Sequence, residues 1–306
     1  MHISRACFLL LATIVLLVQL PANAANAAGS YAEFTKLSST SADASSKLIV
    51  LTPGFLTDTA KAEAPLLPMF RRNGEVLMVS YSGNSFQKDR IISDIVSQIT
   101  VSAQSHDSIK LFGTSLGGDV AVSVFAALPS QVQQKTKLLL DSPPVGVATI
   151  QPLFGFFMNL SCGFANFWAL FGLTAYSDQC KFVNEYTLPP SASFVGARAV
   201  FFAAKNDGVV NNALSYKLLN TAFGGSMKLI SVASNHADYA VSTAAWVAAI
   251  EPELVDSAPV QPAPTPTPTP SGSPLPSVEP SPTTSASPSP EVTPTPTPTV
   301  EPSPVG

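Results

Sequence analysis

The stretch that most constrains this chain is residues 109–118, IKLFGTSLGG. Ile109–Lys110–Leu111–Phe112 reads as the end of a buried strand. It stops at Gly113–Thr114–Ser115–Leu116–Gly117–Gly118, and a helix-like stretch, Asp119 to Leu128, follows at once. A strand that turns straight into a helix needs glycine wherever a Cβ would strike neighbouring backbone. The pattern G-x-S-x-G supplies one on each side of Ser115. Such a turn lifts the Ser115 hydroxyl above the sheet edge. Behind it stands a helix N-terminus, whose unpaired N–H groups and positive dipole end suit a developing negative charge. Read alone, the five residues also fit an ordinary glycine-rich turn. The strand before them and the helix after them favour the sharper reading.

Both ends of the 306-residue chain are read as lying outside the folded domain. Residues 1–24 read as a secretory signal: His2 and Arg5 give a weakly positive start, and Phe8 to Leu20 is an apolar core too short to span a bilayer. Ala22–Asn23–Ala24 fits a small-residue cleavage site. Residues 258–306 hold 17 of the 28 prolines, and alternating Thr–Pro forms neither helix nor central strand, so this tail is expected to be a disordered, extended stalk. It is either an inert spacer or a reach toward a cell envelope or surface. The domain between, residues 25–257, is one of ordinary size. Removing Arg5 and the tail acids Glu279, Glu291 and Glu301 leaves 15 basic and 17 acidic residues, a balance that argues against a nucleic-acid partner. Cys162 and Cys180 are an even pair in an exported chain and read as one disulfide, its loop of about 18 residues worth roughly 3 kcal/mol.

In chain order, strands are expected at 47–52, 75–80, 109–112, 137–140, 197–203 and 227–232. Helices are expected at 89–102, where Ile91, Ile92, Ile95, Val96 and Ile99 recur at helical spacing, after Ser115, and at 209–223 and 237–250. Residues 59–72 read as broken helix, because Pro65 and Pro68 interrupt it. The alternation implies a three-layer α/β sandwich around a mostly parallel sheet of about six strands. Residues 143–190 are too long for a crossover and hold Phe154, Phe156, Phe157, Phe164, Phe167, Trp168, Phe171 and Tyr176. They are expected to form a helical insertion that caps the site, some of its aromatics lining an apolar pocket.

Ligands in such sheets bind at the carboxyl ends of the strands, and several polar residues follow strands at once. His236, after the sixth strand, is the candidate base for Ser115. His106 precedes the serine strand and reads as a surface-loop histidine on the other rim. Asp207, after the fifth strand, is the candidate to orient His236; its alternative role is to cap the helix that follows. Asp141, after the fourth strand, is the competing acid, while Asp119 and Asp238 read as structural. The backbone N–H groups of Leu116 and of Phe55, with Leu56 next, are the candidate oxyanion donors; Pro53 has no N–H to offer.

Strand by strand, residues 47–250 resemble the α/β-hydrolase superfamily, with Ser115, Asp207 and His236 in that superfamily's order. The resemblance implies Ser115 as nucleophile, Asp207 as acid, His236 as base and the Phe55 and Leu116 amides as oxyanion hole. Two features depart from it. Pro53–Gly54–Phe55 replaces the usual His–Gly or glycine-run loop, and the customary first two strands are missing or compressed into residues 30–46. The function expected is a secreted, periplasmic or surface-located, monomeric serine hydrolase of carboxylic esters, lipid or other acyl esters, with no metal or cofactor. A peptidase or thioesterase would use the same residues, and a stalked, non-catalytic binding protein is the other class.

Overall fold

The computed structural model describes residues 31–55, 59–81, 86–163 and 174–255. The signal, the tail, Leu56 and the aromatics Phe164, Phe167, Trp168 and Phe171 lie outside the described residues. The strands are β1 (Ala32–Leu37), β2 (Lys47–Thr52), β3 (Glu75–Tyr81), β4 (Ser108–Thr114), β5 (Thr136–Asp141), β6 (Arg198–Ala204) and β7 (Lys228–Val232). The helices are α1 (Thr59–Ala62), α2 (Leu67–Asn73), α3 (Lys88–Ser102), α4 (Leu116–Ala127), α5 (Ser130–Lys135), α6 (Pro152–Gly163), α7 (Thr174–Glu185), α8 (Asn212–Ala222) and α9 (Thr243–Leu254). Among the described residues no helix is long and apolar enough to cross a membrane.

The sheet has the order β1-β3-β2-β4-β5-β6-β7. Only β1 is antiparallel, pairing Ala32 with Tyr81 through Leu37 with Val76. It is the strand beyond the six expected, and it occupies part of residues 30–46. Its residues, AEFTKL, bury only Ala32, so an edge strand with one wet face leaves no apolar run to read. The central strands are apolar on both faces, as a parallel sheet covered twice must be. In β2, Leu48 and Val50 pack against α3 and α4 with Ile91, Ile95, Val120 and Val124. Ile49 and Leu51 face the other way, toward Met69, Phe70, Trp246 and Ile250 of α2 and α9.

The insertion begins by pairing with the segment after β6. Ile150 bridges Val210, the Gln151 amide donates to Val209 O at 2.8 Å, and the Asn211 amide donates to Thr149 O at 2.6 Å. Cys162 of α6 and Cys180 of α7 form the expected disulfide. Phe182 and Val183 of α7 join the α3–α4 side of the core, and Phe182 packs its ring 5.4 Å from Phe86, which lies 5.0 Å from Tyr81 at the carboxyl end of β3. The described part of the insertion therefore meets the sheet at its carboxyl edge.

Three expectations need correction. The last helix starts at Thr243, not at residue 237, because residues 237–242 turn, with Ala237 at φ 48°, and send the Tyr239 side chain inward. The helix expected from residue 209 starts at Asn212, since the Val209 and Val210 amides are bonded to Asp207. His106 is buried rather than a surface residue: its Nδ1 lies 2.7 Å from Ser102 O at the end of α3, and its Nε2 lies 3.2 Å from Glu75 Oε1. A histidine between a helix-end carbonyl and a carboxylate belongs to the packing of the amino edge.

Candidate active site

Ser115 stands between β4 and α4 at φ 53°, ψ −126°, a conformation that side chains rarely adopt. Its amide donates to Asp141 O at 2.8 Å, and its carbonyl accepts from the Gly118 amide at 2.7 Å. The glycines around it have the cause expected of them. A Cβ on Gly113 would stand 2.5 Å from Gly117 O, and one on Gly117 would stand 2.2 Å from Thr52 O and 2.4 Å from Pro53 O. The end of β2 is thus laid directly over the start of α4. Thr52 Oγ1 fixes the contact by donating to Gly117 O at 2.8 Å, and the Tyr81 hydroxyl donates to Pro53 O at 3.1 Å. This sets Pro53, two residues before Phe55, against the helix turn that begins with Leu116; Phe55 and Leu116 are the two candidate oxyanion donors.

The imidazole and the acid meet on the neighbouring loops. His236 Nδ1 lies 2.8 Å from Asp207 Oδ2. Asp207 Oδ1 accepts the Val209 and Val210 amides, each at 2.8 Å, and Oδ2 also accepts from Asn212 Nδ2 at 3.0 Å. The cap of α8 is Asn211, whose side chain accepts the Leu214 amide, so Asp207 is left for the imidazole. Burial pulls the Asp207 carboxyl up, but the hydrogen bond and charge of His236 and the two amides outweigh it and hold the group below its ordinary 3.8. The loops themselves are joined: the Lys205 amide donates to Val232 O and the Asn206 amide to Ser234 O, at 2.9 and 3.0 Å. Asp207 is 3% exposed and His236 15%, so the acid is sealed and the ring keeps an open side.

Asp141, the competing acid, is not bonded to His236. Its carboxylate accepts from the Tyr239 hydroxyl. Tyr239, three residues past His236, also reaches Thr114 Oγ1 at 2.8 Å, one residue before Ser115. That contact holds the histidine loop against the serine turn. Among the described residues no hydrogen bond joins the Ser115 hydroxyl to the imidazole. Asp119 is buried in the first turn of α4, where Oδ1 accepts the Val145 amide at 3.2 Å and supports the root of the insertion. Asp238 accepts the Val241 amide at 3.3 Å. Tyr239, Thr114 and Glu63 were not singled out from the sequence. The one available signal was a lone acid inside an apolar run, Ala62–Glu63–Ala64 before Leu66 and Leu67.

A mostly parallel sheet covered on both faces, a strained serine between strand and helix, and a His–Asp pair on the loops after β6 and β7 at the same sheet edge define the α/β-hydrolase fold. Solved structures agree. A monoglyceride lipase from Saccharomyces cerevisiae, bound to a substrate analog, superposes with a TM-score of 0.55 at 11% identity, over 78% of this chain and 96% of its own. An α/β hydrolase enzyme from a Medee basin deep-sea metagenome library gives 0.53 at 12%, over 73% and 93%. The enol-lactonase of Burkholderia xenovorans gives 0.51 at 13%, over 71% and 94%. At these identities the likeness is one of fold. Neither a protein-family model nor a curated protein matches the sequence.

Proposed function

We propose that this chain is an exported serine hydrolase that cleaves carboxylic esters through an acyl-enzyme on Ser115. The observation that carries the reading is the His236–Asp207 hydrogen bond of 2.8 Å, on loops pinned beside a serine held at positive φ. Asp207 accepts from Nδ1–H, which leaves Nε2 as the basic nitrogen. Nε2 takes the Ser115 proton as Oγ bonds to the ester carbonyl carbon, and the resulting oxyanion turns to the Leu116 and Phe55 amides. When the tetrahedral species collapses, the alcohol leaves with the proton from Nε2. Water then repeats the sequence, with its oxygen in place of Oγ, and frees the acid.

The insertion supports an apolar acyl group. Residues 142–177 contain no charged residue, and Leu153, Phe154, Phe156 and Leu160 of α6 are exposed. The Cys162–Cys180 disulfide supports an oxidising compartment, in keeping with export through residues 1–24. Labelling by a fluorophosphonate probe tests the central claim, since an activated serine reacts and an ordinary one does not. Wild-type protein should label and hydrolyse p-nitrophenyl esters, and Ser115→Ala should do neither. An unlabelled, folded wild type would instead support a non-catalytic binding protein.

A further inference from the structure

Beneath Ser115 four buried side chains are joined by three oxygen contacts. Thr114 Oγ1 stands 2.8 Å from Glu63 Oε1 and 2.8 Å from the Tyr239 hydroxyl, which in turn contacts Asp141 Oδ2. Each hydroxyl has one proton to give. Two hydroxyls cannot fill three contacts, so the chain is complete only with a third proton on one of its carboxyls. With that proton on Glu63, every bond runs one way: Glu63 gives to Thr114, Thr114 to Tyr239 and Tyr239 to Asp141. With it on Asp141, every bond runs back. Glu63 Oε2 and Asp141 Oδ1 are buried and without a hydrogen-bond partner among the described residues, so no further donor offsets a second negative charge in this layer.

We propose that Glu63, Thr114, Tyr239 and Asp141 share one carboxyl proton, resident on Glu63, and so keep a single carboxylate, Asp141, under the loop that carries His236. Glu63 is then a positioning residue, acting on the base through Thr114, Tyr239 and Asp141. Burial pushes Glu63 up to about 8, with the Thr114 hydrogen bond opposing and the charge of Asp141 adding. Burial pushes Asp141 only to about 6, because Tyr239 and His236 offset it. Two further ionisable groups face the chain. His236, on the loop after β7, favours the Asp141 anion, and Asp207, on the loop after β6, opposes it. The two proton arrangements interconvert by a concerted shift in which Glu63 loses an O–H bond, Asp141 gains one, and each hydroxyl ends with the one proton it began with. An imidazolium formed at His236 therefore meets a charged Asp141 without a second carboxylate having to ionise nearby.

The assignment of the proton is independent of catalysis; its kinetic consequence rests on the Ser115–His236 reading. Infrared difference spectra of Ser115→Ala protein, with and without Glu63→Gln, separate the two, because no turnover is needed. At about pH 7, between the values for Asp141 and Glu63, the difference should contain a protonated-carboxyl C=O stretch that fades with a midpoint near 8. Any neutral carboxyl on Asp119 is common to both proteins and cancels. A difference without that band, or a band removed by Asp141→Asn and kept in Glu63→Gln, overturns the assignment. In protein with Ser115 intact, Glu63→Leu should lower kcat about tenfold with KM unchanged. Glu63→Gln, whose amide can donate to Thr114, should restore most of that loss and remove the decline of kcat above pH 8. Equal losses in the two variants overturn the positioning role. If Glu63→Leu does not fold, the pH profile of Glu63→Gln against wild type decides, and an unaltered decline overturns it.

Discussion

Gly117→Ala tests whether the β2 loop and the serine turn form one rigid unit. The added methyl would lie 2.2 Å from Thr52 O and 2.4 Å from Pro53 O, and both obstacles are backbone. Cβ contacts essentially never fall below 3.0 Å, so the loop and the helix must part by at least 0.8 Å, the difference between 3.0 and 2.2 Å. That opening strains the Thr52 Oγ1–Gly117 O hydrogen bond of 2.8 Å, the one that fastens the two together. Overpacking of this kind costs about 1–3 kcal/mol. For a domain of this size that is a fall in Tm of roughly 2–12 °C. The larger effect should be kinetic. A displacement approaching 1 Å moves the Phe55 amide away from Leu116, and a misplacement of that order costs about 10²-fold in rate. Calorimetry gives the Tm, and p-nitrophenyl ester turnover well below it gives kcat on folded protein. A variant with unchanged Tm and unchanged kcat would refute the close packing and the oxyanion site built on it. A variant with lowered Tm and unchanged kcat would refute the oxyanion site alone.

Asp207→Asn should lower kcat by about 10³–10⁴-fold while the protein stays folded, and Asp141→Asn should lower it much less, as steady-state kinetics with circular dichroism will show; the reverse ranking would make Asp141 the acid. Because Asp207 is held below 3.8, its contribution to stability is full above that value and is lost as pH falls through its lowered folded pKa, so Tm measured between pH 5 and about 3 should fall more in wild type than in Asp207→Asn. Glu63 has the opposite sign: raised from 4.5 to about 8, it favours the folded state most below pH 4.5, and this is lost as pH rises through about 8, a slope that Glu63→Gln should remove from the Tm profile. Replacing both Cys162 and Cys180 by serine opens a loop with a sequence separation of 18 and should cost about 3 kcal/mol, read as a lowered Tm that dithiothreitol reproduces in wild type.

What could be read from the sequence divides along a physical line. Backbone-dominated features were legible. Apolar runs bounded by turns gave the five inner strands, because a strand buried on both faces must be apolar throughout, and the alternation along the chain gave the edge strand β7. Gly113 and Gly117 marked the serine turn because only glycine tolerates the carbonyls that stand 2.5 Å or less from where a Cβ would be. Asp207 and His236 were legible because each follows a strand directly, and parallel strands bring such positions to one edge. Side chains whose meaning depends on distant partners were not legible. Tyr239 was read as part of a helix, yet it turns inward to Thr114, which is 125 residues away, and to Asp141, which is 98 residues away. His106 gave no sign of burial, because it lies in the loop before β4 and its partner Glu75 begins β3, 31 residues away. β1 was illegible for a third reason: an edge strand exposed along most of its length carries almost no hydrophobic signal.

The same geometry explains why this edge can carry an ionised carboxylate and a sealed polar chain within a few residues of each other. The His236–Asp207 pair is served by backbone: two amides and the Asn212 side chain satisfy the carboxylate, and it stays anionic although nearly buried. Asp141 has a tyrosine and one unpartnered oxygen instead, so its charge is tolerated only while Glu63 is neutral. Two carboxylates following adjacent strands thus differ in what surrounds them more than in where they stand. The one with backbone donors keeps its charge beside an imidazole; the one with a hydroxyl chain can only follow the proton at its far end. That difference in solvation, rather than position along the sheet, makes Asp207 the partner of His236.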